Sequence, residues 1–281
     1  MIRLAAKPVI EVRRRALKDK TSELKTRIGR APHLSVILVG DDPASQIYVN
    51  RKASTAIEVG FTSETLRFNK AVNPEEVRIC IERLNADPKV DGILIQRPLP
   101  STFVETEVAR WVTPEKDVDC LHPENIGLLV NGNPRFLPCT PGGILVLLDF
   151  YGIELEGKTV CVIGRSSIVG KPLASLLLSR NCTLIQIHRK TRNPAELCRL
   201  GDLVFVAAGS RGLVKKEWIQ PGAVVVDIGI HRDAGGAIVG DVDAGDLGGV
   251  PGALTPVPGG VGPMTIQVLL ENTFTSAKRR G

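Results

Sequence analysis

The segment from Lys158 to Pro172, KTVCVIGRSSIVGKP, constrains the fold of this 281-residue chain more than any other. The apolar, β-branched run from Val160 to Ile163 is typical of a buried parallel strand. Gly164 and Gly170 bracket the turn that follows, and such a turn opens a helix whose free backbone N–H groups can bind an anion. The segment therefore predicts a strand, a phosphate-binding turn and a helix.

The spacing of these glycines departs from the common dinucleotide fingerprint, G-x-G-x-x-G. Gly164 and Gly170 are six positions apart, with Arg165, Ser166 and Ser167 following the first of them. The glycines alone therefore leave a plain strand-to-helix connection open as an alternative.

The next predicted strand, Thr183 to Ile187, indicates which dinucleotide would bind. It ends at His188, Arg189 and Lys190, about where a NAD site places an acidic residue for the ribose 2′-hydroxyl. A guanidinium pairs with a 2′-phosphate through charge-assisted hydrogen bonds, whereas a carboxylate would repel it. These cations favour NADP over NAD, and a solvated basic turn is the alternative.

Length and composition limit the class of protein. With 43% hydrophobic residues the chain can bury a substantial core and form two α/β domains. The net charge of +6 would suit nucleic acid, but aromatic residues make up only 4% of the chain. The basic residues are scattered apart from Arg13–Arg15 and Lys278–Arg280. A polyanionic small molecule explains the charge as well, so we expect no nucleic-acid partner.

Cysteine spacing and the N-terminus bear on cellular location. The cysteines lie at least sixteen residues apart, without a C-x-x-C pair, so we expect neither a metal site nor a disulfide framework. Met1 to Lys20 is too charged for a signal peptide, and no apolar run is long enough to span a membrane. These features favour a reducing, cytoplasmic compartment and no membrane partner. The cysteines are Cys80, Cys120, Cys139, Cys161, Cys182 and Cys198.

The first half of the chain has the rhythm of βαβ units and a parallel sheet. Asp42 suits the N-cap of one intervening helix, with Pro43 as its first residue and Gly60 just after its end. The predicted strands are Leu34–Val39, Thr65–Phe68 and Gly92–Ile95.

The second half predicts a separate domain. Thr140 and Pro141 indicate the start of a helix through Phe150 that connects the two domains. Further strands are predicted near Leu203–Val206 and Ala223–Asp227, before a last helix that returns to the first domain. The predicted α/β architecture has an N-terminal catalytic domain, a Rossmann-like dinucleotide-binding domain and a cleft between them. The domains span residues 1–139 completed by 263–281, and residues 140–262.

Tyr48, Lys52 and Gln96 are candidate site residues of the first domain. Tyr48 and Lys52 are four apart, so they share one face of the helix that begins at Pro43. Gln96 directly follows a predicted strand, and ligands of open parallel sheets bind outside the carboxyl ends of the strands. Lys52 and Gln96 are therefore predicted to converge on one pocket, although an ordinary surface pair would explain Tyr48 and Lys52 alone.

Asp117 and Asp119, in the sequence Asp-Val-Asp, complete this set of candidates. A carboxylate near a cleft can accept paired hydrogen bonds from the N–H groups of a flat heterocycle. An acidic loop with a capping role is the alternative.

Six segments of the chain carry a family resemblance. They are VGDDPASQIYVNRK (Val39 to Lys52), DGILIQRPLP (Asp91 to Pro100), PEKDVDCLHPENIG (Pro114 to Gly127), PCTPGG (Pro138 to Gly143), GRSSIVGKP (Gly164 to Pro172) and TPVPGGVGPMT (Thr255 to Thr265). Taken together they resemble the bifunctional methylenetetrahydrofolate dehydrogenase/methenyltetrahydrofolate cyclohydrolase family over nearly the whole chain. The last segment is far more specific than the glycine loop.

The resemblance implies an enzyme of one-carbon metabolism, which includes purine biosynthesis. It would oxidise 5,10-methylenetetrahydrofolate with NADP and hydrolyse the 5,10-methenyl product to 10-formyltetrahydrofolate. The implied partners are tetrahydrofolate derivatives and a second copy of the chain, paired through the dinucleotide domains.

The resemblance also implies roles for individual residues. On the folate side, Tyr48 would orient the folate, Lys52 would act as general acid/base beside Gln96, and Asp119 would anchor the pterin. The segment that would border the folate is Pro258, Gly259, Gly260, Val261 and Gly262. The residues implied for the cofactor are Gly164, Arg165, Ser166, Arg189 and Ile230.

Two residues depart from the family pattern. Cys120 stands where the family usually has glycine, so the loop holding Asp119 is either shaped differently or unstrained. Arg97 stands where the family usually has leucine, and a cation there would depress the Lys52 pKa or alter folate affinity.

Other classes of protein fit less of the chain. A short-chain dehydrogenase would share the spacing of Tyr48 and Lys52 but places its glycine loop first. A shikimate or amino-acid dehydrogenase would share the domain order but would not explain TPVPGGVGPMT. A dehydrogenase with impaired hydrolysis and a catalytically silent folate- or nucleotide-binding protein are the remaining alternatives.

Overall fold

The computed structural model describes residues 1–280 and divides the chain into two compact units. We call them the three-stranded unit and the six-stranded unit, after their main sheets. The three-stranded unit comprises residues 11–139 and 266–280. The six-stranded unit comprises Met1–Ile10 and Thr140–Thr265.

Helices and strands alternate along most of the chain. Up to residue 138 they are β1 (Ile2–Arg3), α1 (Ala6–Ile28), β2 (His33–Val39), α2 (Pro43–Glu58), β3 (Thr62–Phe68), α3 (Pro74–Ala86), β4 (Gly92–Ile95), α4 (Glu105–Val108) and α5 (Pro123–Val130). From residue 139 they are α6 (Cys139–Phe150), β5 (Thr159–Ile163), α7 (Gly170–Leu178), β6 (Thr183–Ile187), α8 (Pro194–Arg199), β7 (Leu203–Val206), a 3₁₀ turn (Lys216–Trp218), β8 (Val224–Asp227), β9 (His231–Arg232), β10 (Ile238–Val239), α9 (Ala244–Leu247), β11 (Ala253–Leu254) and α10 (Val261–Arg280).

The sheet of the three-stranded unit is parallel, in the order β3-β2-β4. Successive side chains of a strand point to opposite faces, and β2 is apolar on both. Leu34, Val36 and Leu38 contribute to a core cluster with residues of α1, α2 and α10. Ile37 and Val39 contribute to a second cluster that includes residues of α3. The sheet is therefore buried on both sides, which leaves its strand ends as the place for a ligand.

The main sheet of the six-stranded unit is also parallel, in the order β1-β11-β8-β7-β5-β6. Its central strands β5 and β7 are buried along nearly their whole length. Such a doubly covered parallel sheet with crossover helices is the Rossmann-like arrangement expected from the sequence.

Residues 1–10 lie in a different unit from the one predicted. The sequence assigned them to the N-terminal domain, but Ile2 and Arg3 pair with Ala253 and Leu254 of β11. Main-chain hydrogen bonds from Ile2 N to Gly252 O (2.7 Å) and Leu4 N to Leu254 O (2.9 Å) fix this edge. A strand of two residues has no periodicity, so no local pattern predicts it.

Two helix starts also differ from the predictions. The helix predicted to open at Pro141, with Thr140 as its N-cap, begins at Cys139, and the Thr140 hydroxyl instead lies 3.0 Å from the hydroxyl of Thr265. The last helix begins at Val261 rather than Pro263 and continues to Arg280. None of the helices within residues 1–280 is long and apolar enough to cross a membrane.

Candidate active site

Lys52 and Gln96 meet at the carboxyl edge of the three-stranded sheet, as predicted. The Asp42 carboxylate caps α2 by accepting from Ser45 N at 2.8 Å, which fixes where this helix starts after β2. Gln96 follows the last residue of β4 directly. The Lys52 ammonium donates to Gln96 Oε1 at 2.9 Å, and Gln96 Nε2 donates to Arg97 O at 2.6 Å. The Gln96 amide is thereby oriented with its oxygen toward the lysine.

The environment of Lys52 makes its ammonium group easier to deprotonate. Lys52 is only 9% exposed, and burial lowers its pKa below the ordinary value. The negative charge of Asp119 opposes this effect without overcoming it. Burial is the main cause of the lowered Lys52 pKa, so the shift does not depend on the positive charge of Arg97.

The two aspartates after β4 have different tasks. Asp117 is buried and accepts hydrogen bonds from Leu121 N (3.1 Å), His122 N (2.8 Å) and Asn125 Nδ2 (2.8 Å). Burial raises the Asp117 pKa to about 7 in spite of these bonds. Asp117 thus shapes the loop, while Asp119 is half-buried and lies close enough to Lys52 to influence its charge.

Cys120 adopts a left-handed backbone conformation, with φ at 61°. This is the region that favours glycine, so the loop keeps the glycine-like shape although a side chain is present. The buried Cys120 thiol donates to Phe136 O at 3.2 Å. A buried sulfur contact therefore accompanies a strained backbone next to Asp119.

Arg97 points its guanidinium toward Glu105, with which it forms an ion pair. Burial lowers the Arg97 pKa, and the negative charges of Asp119 and Asp117 oppose this. The positive charge of Arg97, predicted beside Lys52, is thus offset by acidic side chains of its own unit.

The glycines of the dinucleotide loop are required by close backbone approach. Gly164 has φ at +112°, and a Cβ there would overlap the carbonyl of Ala207. A Cβ on Gly170 would overlap the carbonyl of Gly164. The Ser166 hydroxyl accepts from Val169 N at 3.2 Å and Gly170 N at 3.4 Å, which ties the loop to the start of α7. The loop is consequently a tight cradle between β5 and α7.

A cavity of about 790 Å³ opens above this cradle in the six-stranded unit. Gly164, Arg165, Ser166 and Arg189 all line it, whereas Ile230 is 48% exposed and is not among its lining residues. His188, which the sequence placed beside Arg189, also lines the cavity. The sequence did not single out the other polar and aromatic lining residues, which belong to no motif. They are Thr191, Ser210 and Trp218.

The remaining predicted residues are placed as follows. Tyr48 is half-buried on α2 of the three-stranded unit. Pro258 to Gly262 belong to the six-stranded unit, where they lead into α10 and Gly259 O accepts from Ala6 N at 2.8 Å. Within residues 1–280, no three His, Cys, Asp or Glu side chains are grouped to hold a metal ion.

One parallel sheet carries Lys52 hydrogen-bonded to Gln96, and the other carries a glycine cradle and a basic cavity. These features define a two-domain dinucleotide-dependent enzyme of the α/β class. Comparison with known proteins identifies the family. The family model for the tetrahydrofolate dehydrogenase/cyclohydrolase catalytic domain matches residues 4–119. The model for the NAD(P)-binding domain of the same family matches residues 138–281. The chain belongs to the tetrahydrofolate dehydrogenase/cyclohydrolase family.

Individual relatives agree with this assignment. The bifunctional protein FolD of Streptococcus pyogenes serotype M5 (strain Manfredo) is 48% identical over 94% of this chain and 93% of its own length. The crystal structure of the bifunctional enzyme FolD from Campylobacter jejuni has a TM-score of 0.97 at 44% identity and covers 100% of both chains. The Trypanosoma brucei FolD structure, complexed with NADP and an inhibitor, has a TM-score of 0.94 at 36% identity and covers 99% of this chain and 98% of that chain. The predicted family, its two-domain α/β fold and a nicotinamide dinucleotide cofactor are confirmed.

Proposed function

We propose that this protein oxidises 5,10-methylenetetrahydrofolate to the 5,10-methenyl form with NADP and then hydrolyses that cation to 10-formyltetrahydrofolate. The observation that carries the proposal is the buried Lys52, hydrogen-bonded at 2.9 Å to Gln96 in a unit that belongs to the catalytic-domain family. The second unit supplies a dinucleotide cavity.

The six-stranded unit fits NADP in charge and shape. The cradle formed by Gly164 and Gly170 carries no side chain at these positions, so a phosphate can approach the backbone at the start of α7. Arg189 lies on the same cavity, exposed, with no carboxylate among the lining residues to oppose it. A 2′-phosphate paired with this guanidinium favours NADP over NAD. When bound, the nicotinamide supplies the hydride acceptor.

Oxidation of the folate requires little acid–base catalysis by the protein. The nitrogen lone pairs of the substrate stabilise the positive charge that develops on the methylene carbon, so positioning is the main requirement. We assign Asp119 to the pterin N–H groups and Tyr48 to the orientation of the folate. Pro258 to Gly262 are assigned to the border of the folate on the basis of the family resemblance.

Hydrolysis requires a general base, and Lys52 is suited to that role. Its lowered pKa increases the fraction of neutral amine, which can take a proton from the water that adds to the methenyl carbon. The resulting ammonium is held by Gln96 Oε1 and can return the proton to the departing nitrogen. Lys52 is therefore assigned as general acid/base.

We also propose that the enzyme is a cytoplasmic homodimer paired through the six-stranded units, without a nucleic-acid or membrane partner. All six cysteines are free, which suits a reducing compartment. Ile168, Leu178, Leu200 and Ile230 expose apolar surface on this unit. Light scattering of the purified protein should give twice the chain mass of 30.3 kDa.

The test of the proposed function is to supply 5,10-methylenetetrahydrofolate with NADP, and separately with NAD, while reduced cofactor and the methenyl form are followed by absorbance. We expect reduction of NADP and prompt decay of the methenyl form. Accumulation of the methenyl form would leave only the dehydrogenase. The absence of reduction with either cofactor would reject the assignment.

A further inference from the structure

Asp241 is a buried carboxylate to which no role has been assigned above. It lies between β10 and α9, its exposure is 0%, and it is not among the residues that line the dinucleotide cavity. A buried carboxylate is costly unless its oxygens are fully hydrogen-bonded. The groups that satisfy it indicate what it does.

Three consecutive backbone N–H groups donate to Asp241. Ala208 N and Gly209 N reach Oδ2 at 2.6 and 3.0 Å, and Ser210 N reaches Oδ1 at 2.9 Å. These residues form the loop that follows β7, and all three line the dinucleotide cavity together with Gly164. The Asp241 side chain thus stabilises the wall of the cavity that residues 208–210 form.

Asp241 also connects this wall to the segment after β8. His231 Nε2 lies 2.7 Å from Asp241 Oδ1, and His231 follows Ile230 in the chain. The loop at Ala208–Ser210 and the segment at Ile230–His231 therefore share one carboxylate anchor.

The anchor is itself fixed by a second buried carboxylate. Asp227, at the end of β8, accepts from Asp241 N and Val242 N at 3.0 Å each and from Gly229 N at 2.9 Å. A Cβ on Gly229 would overlap Asp241, and a Cβ on Gly240 would overlap Asp227. Both glycines are needed because the two segments approach each other this closely.

We propose that Asp241 is a positioning residue for dinucleotide binding. Its carboxylate holds residues 208–210 in the shape that forms one wall of the cofactor cavity before the cofactor arrives. The inference rests on the proposed function in that the cavity takes NADP. Asparagine at this position would offer one oxygen in place of two and would turn an amide donor toward the N–H groups, so the wall would lose its shape.

The test compares Asp241→Asn with the wild-type enzyme in two activities. We expect the NADP dissociation constant, followed through quenching of Trp218 in the cavity, to rise about tenfold or more. The KM for NADP should rise with it, while hydrolysis of methenyltetrahydrofolate, which consumes no dinucleotide, stays within about twofold. Asp243→Asn is the matched control, because Asp243 is an exposed aspartate two residues away that caps α9 at Asp246 N.

Two results would overturn the proposal. One is an unchanged NADP dissociation constant in Asp241→Asn. The other is an equal loss of both activities with a lowered unfolding midpoint, which a purely structural role would produce.

A second measurement uses the wild-type protein alone, in case the variant does not fold. Amide hydrogen exchange should show residues 208–210 protected in the cofactor-free protein, because their N–H groups already bind a buried carboxylate. Protection that appears only with NADP would contradict preformation. A wild-type protein that binds no NADP would instead reject the proposed function, and its exchange pattern would still decide whether the wall is preformed.

Discussion

At the scale of single residues, the most specific prediction about activity concerns Lys52. Lys52→Met keeps the volume of the side chain but removes the amine that we propose as general acid/base. We expect hydrolysis of methenyltetrahydrofolate to fall by about 10²–10⁴-fold while dehydrogenation remains measurable, since hydride transfer depends on positioning. Both rates are read from absorbance of the methenyl form and of reduced NADP.

The matched control for Lys52→Met is Arg51→Met, because Arg51 is the neighbouring, exposed cation on α2. It should leave both rates close to those of the wild type. Equal loss of the two activities in Lys52→Met would contradict the separate roles given to positioning and proton transfer.

Cys120 makes a second residue-scale prediction, about stability. In a helix or strand, glycine ordinarily makes the folded protein less stable than alanine does, by roughly 0.5–1 kcal/mol. At Cys120 the order should reverse, because alanine keeps the left-handed strain of about 1–2 kcal/mol and glycine removes it. Urea unfolding should find Cys120→Gly more stable than Cys120→Ala by about 1 kcal/mol.

Cys182 is the matched control for Cys120. It is also buried, its thiol also donates to a carbonyl at 3.2 Å (Leu155 O), and it is not among the residues with positive φ. The ordinary order, with alanine above glycine, should hold there. The same order at Cys120 would show that its backbone is not strained.

At the scale of elements, the C-terminal end of α3 depends on one buried lysine. Lys116 Nζ donates to the carbonyls of Leu84 (2.8 Å), Asn85 (2.7 Å) and Asp87 (2.6 Å). Such carbonyls have no partner within the helix, so the ammonium replaces a C-cap. Lys116→Met should lower the free energy of unfolding by about 2–4 kcal/mol, measured by urea titration at neutral pH.

Lys116 also makes stability depend on pH. Burial and the nearby Arg280 lower its folded-state pKa to about 8, against 10.5 for the ordinary side chain. Between pH 8 and 10.5 the unfolded chain therefore binds more protons at this site, so the contribution of Lys116 to stability rises with pH across that window. The difference in unfolding free energy between wild type and Lys116→Met should therefore increase from pH 8 to pH 10.5. A difference that does not vary with pH would show that the Lys116 pKa is not lowered to this value.

The sequence predicted the elements that carry strong local patterns. The strand after His33, the capped helix at Asp42 and the glycine turn at Gly164 each have periodicity, capping or turn chemistry in adjacent residues. The convergence of Lys52 and Gln96 could be predicted because the helix that carries Lys52 and the residue Gln96 both follow the carboxyl ends of parallel strands.

The sequence did not predict features that depend on distant pairing. Asp241 becomes an anchor only when the loop after β7 folds against it, and the two are 33 positions apart in the chain. β1 has two residues and is defined only by its partner β11. No window of neighbouring residues contains such information.

At the scale of the whole molecule, the chain passes between its two units three times, at residues 10/11, 139/140 and 265/266. A single cut therefore cannot separate them. A fragment of residues 1–139 lacks Ile266, Leu269 and Leu270, which belong to the core cluster around Leu34. A fragment of residues 140–281 lacks the β1 edge. We expect neither fragment to show the near-ultraviolet circular dichroism of a packed core.

A rearranged fragment provides the control for this prediction. Thr140 and Thr265 are hydrogen-bonded through their hydroxyls, so a short glycine-rich linker can join residue 139 to residue 266. Residues 11–139 linked in this way to 266–281 should fold by themselves. If residues 1–139 fold equally well, the α10 contribution to that core is dispensable.

The pairing of β1 with β11 has a consequence for biosynthesis. Ile2 and Ala253 are partners at a separation of 251 residues, so β1 cannot pair until β11 has left the ribosome. The core cluster of the other unit likewise awaits Ile266, Leu269 and Leu270. Neither unit can complete its core before these late residues have been translated, and the nascent chain keeps apolar surface exposed until then, a condition in which chaperone binding protects against aggregation.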